Sequence, residues 1–277
     1  MYGKRGLYGA NQVNRGFIIL AQNTSKVDYV KCAAALAKSI KQTMPNESVT
    51  LVTMDLVVSD YAKYFNHIVE LPYGELEPDS DWKLSNDWQI YLASPYEYTI
   101  KLEADMYIPK DITYWWDILK ERDLVVSTTI RNFKQEISDV RVYRRFIDDN
   151  SLPDCYNAIT YFKKSDLAKR FFGIVLDVFE NWEQYRAILK CKTNEIVTTD
   201  WAYAIASHVL GVENTTLPSF KDMSMIHMKQ FINGTYTEDW TDTFVYEVLP
   251  NQIRVQTVPQ MYPFHYHKKS FADKILK

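Results

Sequence analysis

The first part of the chain alternates short apolar runs with a segment of helical periodicity. Residues 16–22 and 48–54 have the length and β-branched content of buried strands, and a third strand is predicted at 67–71. Between the first two, apolar residues recur at helical spacing from about 27 to 43, and Pro45 ends that pattern. Strand, helix and strand joined by short turns predict a right-handed parallel crossover, and therefore an α/β protein.

The rest of the chain also alternates predicted helices and strands. Ser25 is the candidate N-cap of the first helix, and Asp200 precedes a helix predicted at 201–210. His208 lies within the apolar run of that helix, so we expect it to be a core residue. The pattern predicts further helices at 84–94, 111–121 and 167–190, strands at 98–102, 123–128 and 155–162, and short strands over the last fifty residues.

Composition limits the class of protein more than its function. The 277 residues suffice for one large domain or two small ones, and 47% apolar with 24% charged residues is ordinary for a globular protein. With a net charge of −3, binding to nucleic acid would need a local basic patch. The three cysteines fit no disulfide framework or zinc motif, and the apolar run at 17–21 is too short for a signal sequence or membrane span. We therefore expect a cytoplasmic protein with a loose arm at residues 1–15.

The strand predicted at 98–102 ends in two acids, Glu103 and Asp105, separated by Ala104. Alternate residues of a strand point to one side, so both carboxylates are expected beyond its carboxyl end, where open α/β sheets bind ligands. Oxygen ligands of this kind suit Mg²⁺ or Mn²⁺ bridged to a diphosphate. The alternative is a solvated acidic turn. Apolar segments on both sides favour the metal site, because charges between buried segments need a partner.

Short blocks spread over residues 17–269 form a set with these acids. They are Ile19-Leu-Ala-Gln-Asn23, Lys26-Val-Asp-Tyr-Val30, Trp82-Lys-Leu-Ser-Asn86, Leu92-Ala-Ser-Pro-Tyr96, Glu103-Ala-Asp105, Asn181-Trp182, Tyr185-Arg186 and Thr199-Asp-Trp-Ala-Tyr-Ala-Ile-Ala206. The set resembles nucleotide-sugar glycosyltransferases of the GT-A type, in a form encoded by large tailed phages. Tyr156-Asn-Ala-Ile-Thr is distantly similar to the Asn-Ala-Gly strand of glycogenin-like transferases. Glu103 departs from the family, which usually has Asp there; its longer side chain would reach a ribose or bind metal through water, which leaves Asp105 as the surer ligand.

The resemblance implies a single GT-A (Rossmann-like) domain over residues 16–277, with a central mostly parallel mixed sheet flanked by helices. Residues 131–153 are a candidate flap that faces the acceptor. Arg141, Arg144 and Arg145 in this stretch are either solvated surface or a docking site for a polyanionic acceptor.

The resemblance also implies that a late histidine completes the metal site. His265 is the first candidate, because imidazole joins carboxylates at divalent sites. His267 is its near-equal rival, and the alternative for both is a partly exposed pair near the chain end. Lys268 or Lys269 beside them is a candidate to steady the diphosphate as a point charge, or else a solvated tail lysine.

Donor-binding residues are expected where the first strands end. The loop Ala21-Gln22-Asn23 should contact the base or ribose, and Thr53 and Asp55 are placed to bond a nucleobase edge. Tyr29 would stack on uracil or pack in the core. Lys83 is a candidate sugar or phosphate contact, with a surface lysine as its alternative.

Asn157 and Asp200 are the candidates to hold the donor sugar or act near the reacting carbon, although Asp200 would equally serve as an N-cap. The predicted activity is metal-dependent transfer from a nucleoside diphosphate sugar, with uridine diphosphate as the expected nucleotide and the ion as Lewis acid. The acceptor stays open between 5-hydroxymethylcytosine in phage DNA and a protein, glycan or lipid-linked hydroxyl.

Two other classes of function compete with this prediction. A nucleotidyltransferase of related fold also uses paired acids, but usually carries a Gly-rich basic loop after the first strand, and Asn23-Thr-Ser-Lys26 has no glycine. A non-catalytic sugar-binding phage module is the third class.

Overall fold

The computed structural model describes residues 14–192, 195–249 and 252–277, so the predicted arm at 1–15 lies outside it except for its last two residues. The strands are β1 Arg15–Leu20, β2 Val49–Val52, β3 His67–Val69, β4 Tyr98–Glu103, β5 Met106–Tyr107, β6 Leu124–Ser127, β7 Thr129–Arg131, β8 Tyr156–Lys163, β9 Ser224–His227, β10 Tyr246–Leu249, β11 Gln252–Val255, β12 Val258–Pro259 and β13 Phe264–His265. The helices are α1 Tyr29–Thr43, α2 Ser59–Ala62, α3 Ile90–Ala93, α4 Trp115–Leu119, α5 Arg145–Asp149, α6 Asp166–Glu180, α7 Trp182–Ile188, α8 Thr199–Leu210, α9 Val212–Thr215, α10 Gln230–Asn233 and α11 Ala272–Leu276. Short 3₁₀ helices span Leu84–Gln89, Trp240–Asp242 and Lys269–Phe271.

Six strands form the central sheet in the order β3-β2-β1-β4-β8-β6. The strands β3, β2, β1 and β4 pair in parallel, and β8 runs antiparallel to both β4 and β6. Central strands of such a sheet are buried on both faces, which explains why all four residues of β2 are apolar or threonine and all are buried. The predicted α/β class with a mostly parallel mixed sheet is confirmed.

The register of this sheet brings several loops to one edge. Leu20, the last residue of β1, lies beside Val52 at the end of β2 and beside Glu103 at the end of β4. The loops that follow these three strands therefore begin at the same level. Because β8 runs antiparallel to β4, its first residues, including Asn157, reach the same edge.

Helix α1 crosses from β1 to β2, and its start corrects one prediction. Asp28 is the N-cap, since its Oδ1 accepts a hydrogen bond from the Lys31 N–H at 2.8 Å; Ser25 lies further upstream. An aspartate directly before the first turn also interacts favourably with the helix dipole. Four alanines, Ala33, Ala34, Ala35 and Ala37, are buried, and their small side chains let the helix pack closely on the sheet.

The amphipathic helix predicted at 167–190 is two helices, α6 and α7. The break falls at Asn181, whose φ of −113° and ψ of 27° are not helical. Asparagine is a poor residue for a helix interior, because its side chain competes for backbone hydrogen bonds. Helix α6 ends directly before it. Apolar periodicity alone does not reveal such a break.

A second, four-stranded sheet lies beside the first, in the order β5-β13-β9-β7. Its strands come from four separate parts of the chain, and β13 pairs antiparallel with β5 and parallel with β9. Since β5 follows β4 directly, this sheet carries late residues to the end of the central strand. A small antiparallel sheet, β10-β11-β12, completes the described strands.

Within residues 131–153, helix α5 packs into the core through Phe146 and Ile147. The Phe146 ring stacks on Trp201 with 4.0 Å between ring centroids. A role of this stretch as an acceptor-facing flap stays a prediction. The expectation for His208 was wrong: the residue lies in α8 but its side chain is exposed. Over the described ranges of the chain, every helix is too short or too polar to cross a membrane.

Candidate functional site

The two acids after β4 converge on one histidine. Glu103 is the last residue of β4, and Ala104 and Asp105 form the turn into β5. The Nε2 atom of His265 lies 3.2 Å from Oε2 of Glu103 and 3.1 Å from Oδ2 of Asp105. Asp105 and His265 are each 4% exposed, so the acids do not form a solvated turn.

Backbone pairing explains why a residue 160 positions away reaches this turn. In the second sheet His265 lies opposite Met106, and the Tyr266 N–H donates to the Asp105 carbonyl oxygen at 3.2 Å. The position of the imidazole is therefore set by main-chain hydrogen bonds on both sides of its residue. A site fixed in this way does not depend on a flexible loop.

These three side chains fit a divalent cation. One ligand atom from each of Glu103, Asp105 and His265 lies within 4.8 Å of the other two. Two carboxylates and one imidazole form a donor set that Mn²⁺ and related ions accept, and Mg²⁺ favours the carboxylates. The longer side chain of Glu103 does not keep it from the cluster. It also accepts a hydrogen bond at Oε1 from the Asn157 side-chain amide at 2.9 Å.

A lysine already neutralises part of the negative charge. The Lys269 Nζ atom donates to Oδ2 of Asp105 and lies 5.5 Å from the ring centroid of Tyr29. Burial by itself would raise the pKa of Asp105, but its interactions with His265 and with the Lys269 ammonium group outweigh burial and hold that pKa well below its usual value. Asp105 is therefore an anion at neutral pH, as a metal ligand must be.

Lys268, by contrast, turns away from the acids. Its ammonium group pairs with Asp239, and its side chain is 41% exposed. Of the two lysines that the sequence left open, Lys269 is the one beside the carboxylate cluster. The predicted diphosphate role of either lysine stays a prediction.

His267 faces a different partner from His265. Its Nε2 atom lies 3.1 Å from Nδ1 of His227, and its ring stacks on that of His265 with 3.9 Å between centroids. Burial, followed by repulsion from neighbouring positive charge, lowers the pKa of both His227 and His267 well below the usual histidine value. Sequence reasoning missed His227. Its signal was the short apolar run Ser224-Met-Ile-His227, a strand that ends in a histidine.

A second buried ion pair lies on the other side of Glu103. Asp200 accepts from the backbone N–H of Asn157 at 2.9 Å and from Arg144 at 2.9 Å. Arg144 is 3% exposed, and it also donates to Asp154 and to the carbonyl oxygen of Cys155. Asp200 is not the N-cap of α8, because the side chain of Thr198 accepts from the Trp201 N–H instead.

Of the three arginines predicted as a cluster, Arg144 belongs to this buried network and is not solvated surface. Arg141 pairs with Asp148 and Asp154, and Arg145 pairs with Asp149. Each guanidinium thus has a carboxylate partner.

The residues predicted for the nucleoside lie at the ends of β1 and β2. The Asn23 N–H donates to Oδ2 of Asp55 at 2.6 Å, and Thr53 Oγ1 accepts from the Asp55 N–H at 3.1 Å. Ala21 is buried in the core cluster, and Tyr29 is half-buried against it. These contacts bring the loop after β1 and the loop after β2 together. That the two loops bind a nucleoside stays a prediction.

Lys83 and Gln22 meet at a third carboxylate. Glu75, in the loop before the 3₁₀ helix at 84–89, accepts from the Lys83 ammonium at 3.2 Å and from the Gln22 side-chain amide. The loop that carries Glu75 therefore lies over the end of β1. Lys83 is mostly buried, with 14% of its side chain exposed, and is not a surface lysine.

Solved structures share this architecture, whereas no protein-family model matches the sequence and no curated protein matches it either. The glycosyltransferase GlyE of Streptococcus pneumoniae TIGR4 superposes with a TM-score of 0.52 over 95% of this chain, at 9% identity. The chain has a GT-A fold. It spans 61% of the length of GlyE, and at this identity the likeness establishes the GT-A fold alone.

Two further glycosyltransferases have lower scores. Galactosyltransferase LgtC, solved with donor and acceptor sugar analogues, has a TM-score of 0.48 at 12% identity, over 73% of this chain and 72% of LgtC. Mouse xyloside xylosyltransferase 1 has a TM-score of 0.44 at 8% identity, over 71% of this chain and 82% of the mouse protein. The resemblance of this GT-A chain to phage-encoded and glycogenin-like transferases stays a prediction.

Proposed function

We propose that the protein is a metal-dependent glycosyltransferase that moves a sugar from a nucleoside diphosphate to an acceptor hydroxyl. The observation that carries the proposal is the convergence of Glu103, Asp105 and His265 at the carboxyl end of the central strand. Ligands of open α/β sheets bind at this edge, and the loops after β1 and β2 begin at the same level.

Glu103, Asp105 and His265 would hold the divalent ion, which when bound supplies Lewis-acid stabilisation to the departing diphosphate. The protein itself holds one ligand atom from each of these three residues close to the other two. Main-chain pairing of His265 with Met106 does so without help from the substrate.

Lys269 supports the same step with a fixed positive charge. Its ammonium group donates to Asp105, a proposed metal ligand, and from this position it would reach phosphate oxygens of a bound diphosphate. Donors aimed at charge that develops in the transition state are among the larger contributions to catalysis. We therefore assign the phosphate role to Lys269 rather than to Lys268, which pairs with Asp239.

The nucleoside would lie against the loops after β1 and β2. Ala21, Gln22 and Asn23 supply backbone and amide groups there, and Asp55 offers a carboxylate that already accepts from the Asn23 N–H. Tyr29 contacts the core on one side and Lys269 on the other, so it links the nucleoside end to the metal end. Uridine diphosphate is the donor nucleotide to test first.

The donor sugar would lie near Asn157 and Asp200. Asn157 joins the two regions, because its side chain donates to Glu103 while its backbone N–H donates to Asp200. Lys83, held by Glu75 near the end of β1, is placed to approach the sugar or a phosphate from the opposite loop. Carboxylate and amide groups of this kind bond sugar hydroxyls, and their fixed positions would orient the anomeric carbon.

For the acceptor we propose only that it is a hydroxyl compound. Arg141, Arg144 and Arg145 each face a carboxylate, so they offer little net charge to a polyanion. The pairing of these arginines does not favour a polyanionic acceptor, whereas the resemblance to phage-encoded transferases suggests hydroxymethylated DNA, so a first screen should include that DNA together with protein and glycan hydroxyls.

The test is donor hydrolysis and transfer by wild type and Asp105→Ala, over a panel of nucleotide sugars with and without Mn²⁺. We expect Asp105→Ala to lower the rate by about 10³-fold or more, because the ion loses its most buried ligand. Asp117→Ala, which changes a carboxylate that is 79% exposed on α4, is the matched control. Full activity of Asp105→Ala, or donor turnover by wild type that needs no divalent ion, would contradict the proposal.

A further inference from the structure

Three histidines lie on one face of the second sheet because of its strand register. His227, the last residue of β9, pairs with His265 on the parallel strand β13. Residues paired across neighbouring strands have side chains next to each other on the same face. His267 lies in the turn just after β13, and its ring centroid is 3.9 Å from that of His265 and 4.5 Å from that of His227. The backbone therefore brings the three imidazoles together.

Their nitrogen atoms are spaced as ligands of one ion would be. One ring nitrogen from each of His227, His265 and His267 lies within 4.8 Å of the other two. His267 Nε2 and His227 Nδ1 are 3.1 Å apart. Two nitrogens on a tetrahedral Zn²⁺, each at about 2.0–2.1 Å, are separated by roughly 3.3 Å.

Two further observations mark this cluster as more than a packed group of rings. Nδ1 of His265 is buried and has no hydrogen-bond partner among the described residues. His267 has a φ of +55°, a left-handed conformation that costs a residue with a side chain some free energy. The Lys268 N–H closes the tight turn by donating to the Tyr266 carbonyl oxygen. Strain of this kind persists where the position of a side chain is needed.

We propose that His227, His265 and His267 form a second metal site, selective for Zn²⁺ and other ions that prefer nitrogen ligands. Three imidazoles with an open fourth position are a donor set that suits zinc, nickel and copper, whereas carboxylates suit Mg²⁺ and Mn²⁺. The two sites differ in the ions they prefer, although they lie side by side.

The sites share His265 and therefore compete. Nε2 of His265 faces Glu103 and Asp105, and its ring is stacked on His267 with only 27° between the planes. An ion bound at either site engages this shared ring and adds positive charge beside the other site, which repels a second cation. Zinc binding should thus weaken Mn²⁺ binding, and the reverse.

The experiment measures binding of Zn²⁺ alone and Mn²⁺ alone to metal-stripped protein, by calorimetry or competition with a chelating dye. His227→Gln should weaken Zn²⁺ binding at least about tenfold and leave Mn²⁺ binding within about twofold. His227 is close to both sites, but it is a ligand only in the three-histidine site. Asp105→Asn should do the opposite. His208→Gln, which changes an exposed histidine on α8, should change neither affinity.

Two results would overturn the proposal. In the first, His227→Gln binds Zn²⁺ as tightly as the wild type does, which would mean that zinc binds the carboxylates. In the second, the wild type binds no measurable Zn²⁺, and the 3.1 Å contact between His267 and His227 is then only a hydrogen bond between neutral rings. Should His227→Gln fail to fold, Co²⁺ absorption by wild type decides, because a three-nitrogen tetrahedral site gives strong visible bands and an octahedral carboxylate site gives weak ones. These readouts are independent of sugar transfer, so their failure would not bear on the proposed function.

Discussion

Two carboxylates, the buried Asp105 and the partly exposed Asp200, lie on either side of Glu103 and are held in different ways. Asp105 is bound by the buried imidazole of His265 and by the ammonium group of Lys269, a long and flexible side chain that is 28% exposed. Asp200 is bound by a backbone N–H and by the guanidinium of Arg144, which is almost fully buried. A planar guanidinium with several hydrogen bonds has little freedom.

The difference indicates two kinds of task. A carboxylate paired with a flexible lysine, as Asp105 is with Lys269, can exchange that lysine for a metal ion with little reorganisation. A carboxylate fixed by Arg144 and by the main chain keeps its position whether or not a substrate is present. We infer that the Asp105 region is arranged for exchange of ligands and the Asp200 region for orientation.

The largest effect should come from the fixed region. Arg144→Met removes a buried guanidinium that binds Asp200, whose side chain is 24% exposed, and we expect a cost of about 1.5–3 kcal/mol in the free energy of unfolding, as for a lost hydrogen bond to a charged group. Unfolding of both proteins in urea measures this difference in the free energy of unfolding. Arg145→Met is the matched control, because Arg145 is 77% exposed and pairs only with Asp149, so we expect a change within about 0.5 kcal/mol. Equal stability of the two variants would show that Arg144 does not hold Asp200.

The exchangeable region should affect rate more than stability. Lys269→Met is expected to lower kcat/KM for donor turnover by about 10²–10³-fold, since it removes a charge beside the leaving diphosphate. Lys268→Met should change kcat/KM by less than about twofold, because Lys268 pairs with Asp239. Reversed effects of these neighbours would move the phosphate role to Lys268.

The pH dependence of stability should report on the buried histidines His227 and His267, which lie beside the Asp105 region. His227 and His267 have lowered pKa values in the folded protein because of their burial, whereas unfolded histidines bind a proton below about pH 6.5. The unfolded state then binds more protons, so metal-free protein should lose stability as the pH falls below 6.5, by up to about 1.4 kcal/mol per pH unit for each imidazole.

Chemical unfolding at a series of pH values measures that slope. His227→Gln should flatten it, and the exposed His208→Gln should leave it as in wild type. An unchanged slope in His227→Gln would mean that His227 is not kept neutral by its surroundings.

The central sheet was the part of the fold that the sequence predicted well. Strands such as Val49–Val52 consist of apolar residues and threonine because both faces are covered, and that pattern is visible without a structure. The acid pair Glu103 and Asp105 was visible too, since these two charges lie where one apolar segment ends and the next begins.

The second sheet was not predictable in this way. Its strands are two to four residues long and pair across large distances in sequence, so no periodicity marks their partners. The role of His227 depends wholly on that pairing. The burial of Arg144 was not predicted for a related reason, because an arginine in a polar stretch gives no sign that it pairs with the distant Asp200.

The smallest effect tests the start of α8, where the sequence left two roles open for Asp200. Thr198 caps this helix through the Trp201 N–H, so Thr198→Ala should cost about 1 kcal/mol in the free energy of unfolding, and Thr198→Ser should restore most of it. Neither should change kcat/KM by more than about twofold, because Asp200 keeps its bonds to Asn157 and Arg144. A large loss of rate in Thr198→Ala at unchanged stability would mean that the helix start, rather than the Arg144 ion pair, positions Asp200.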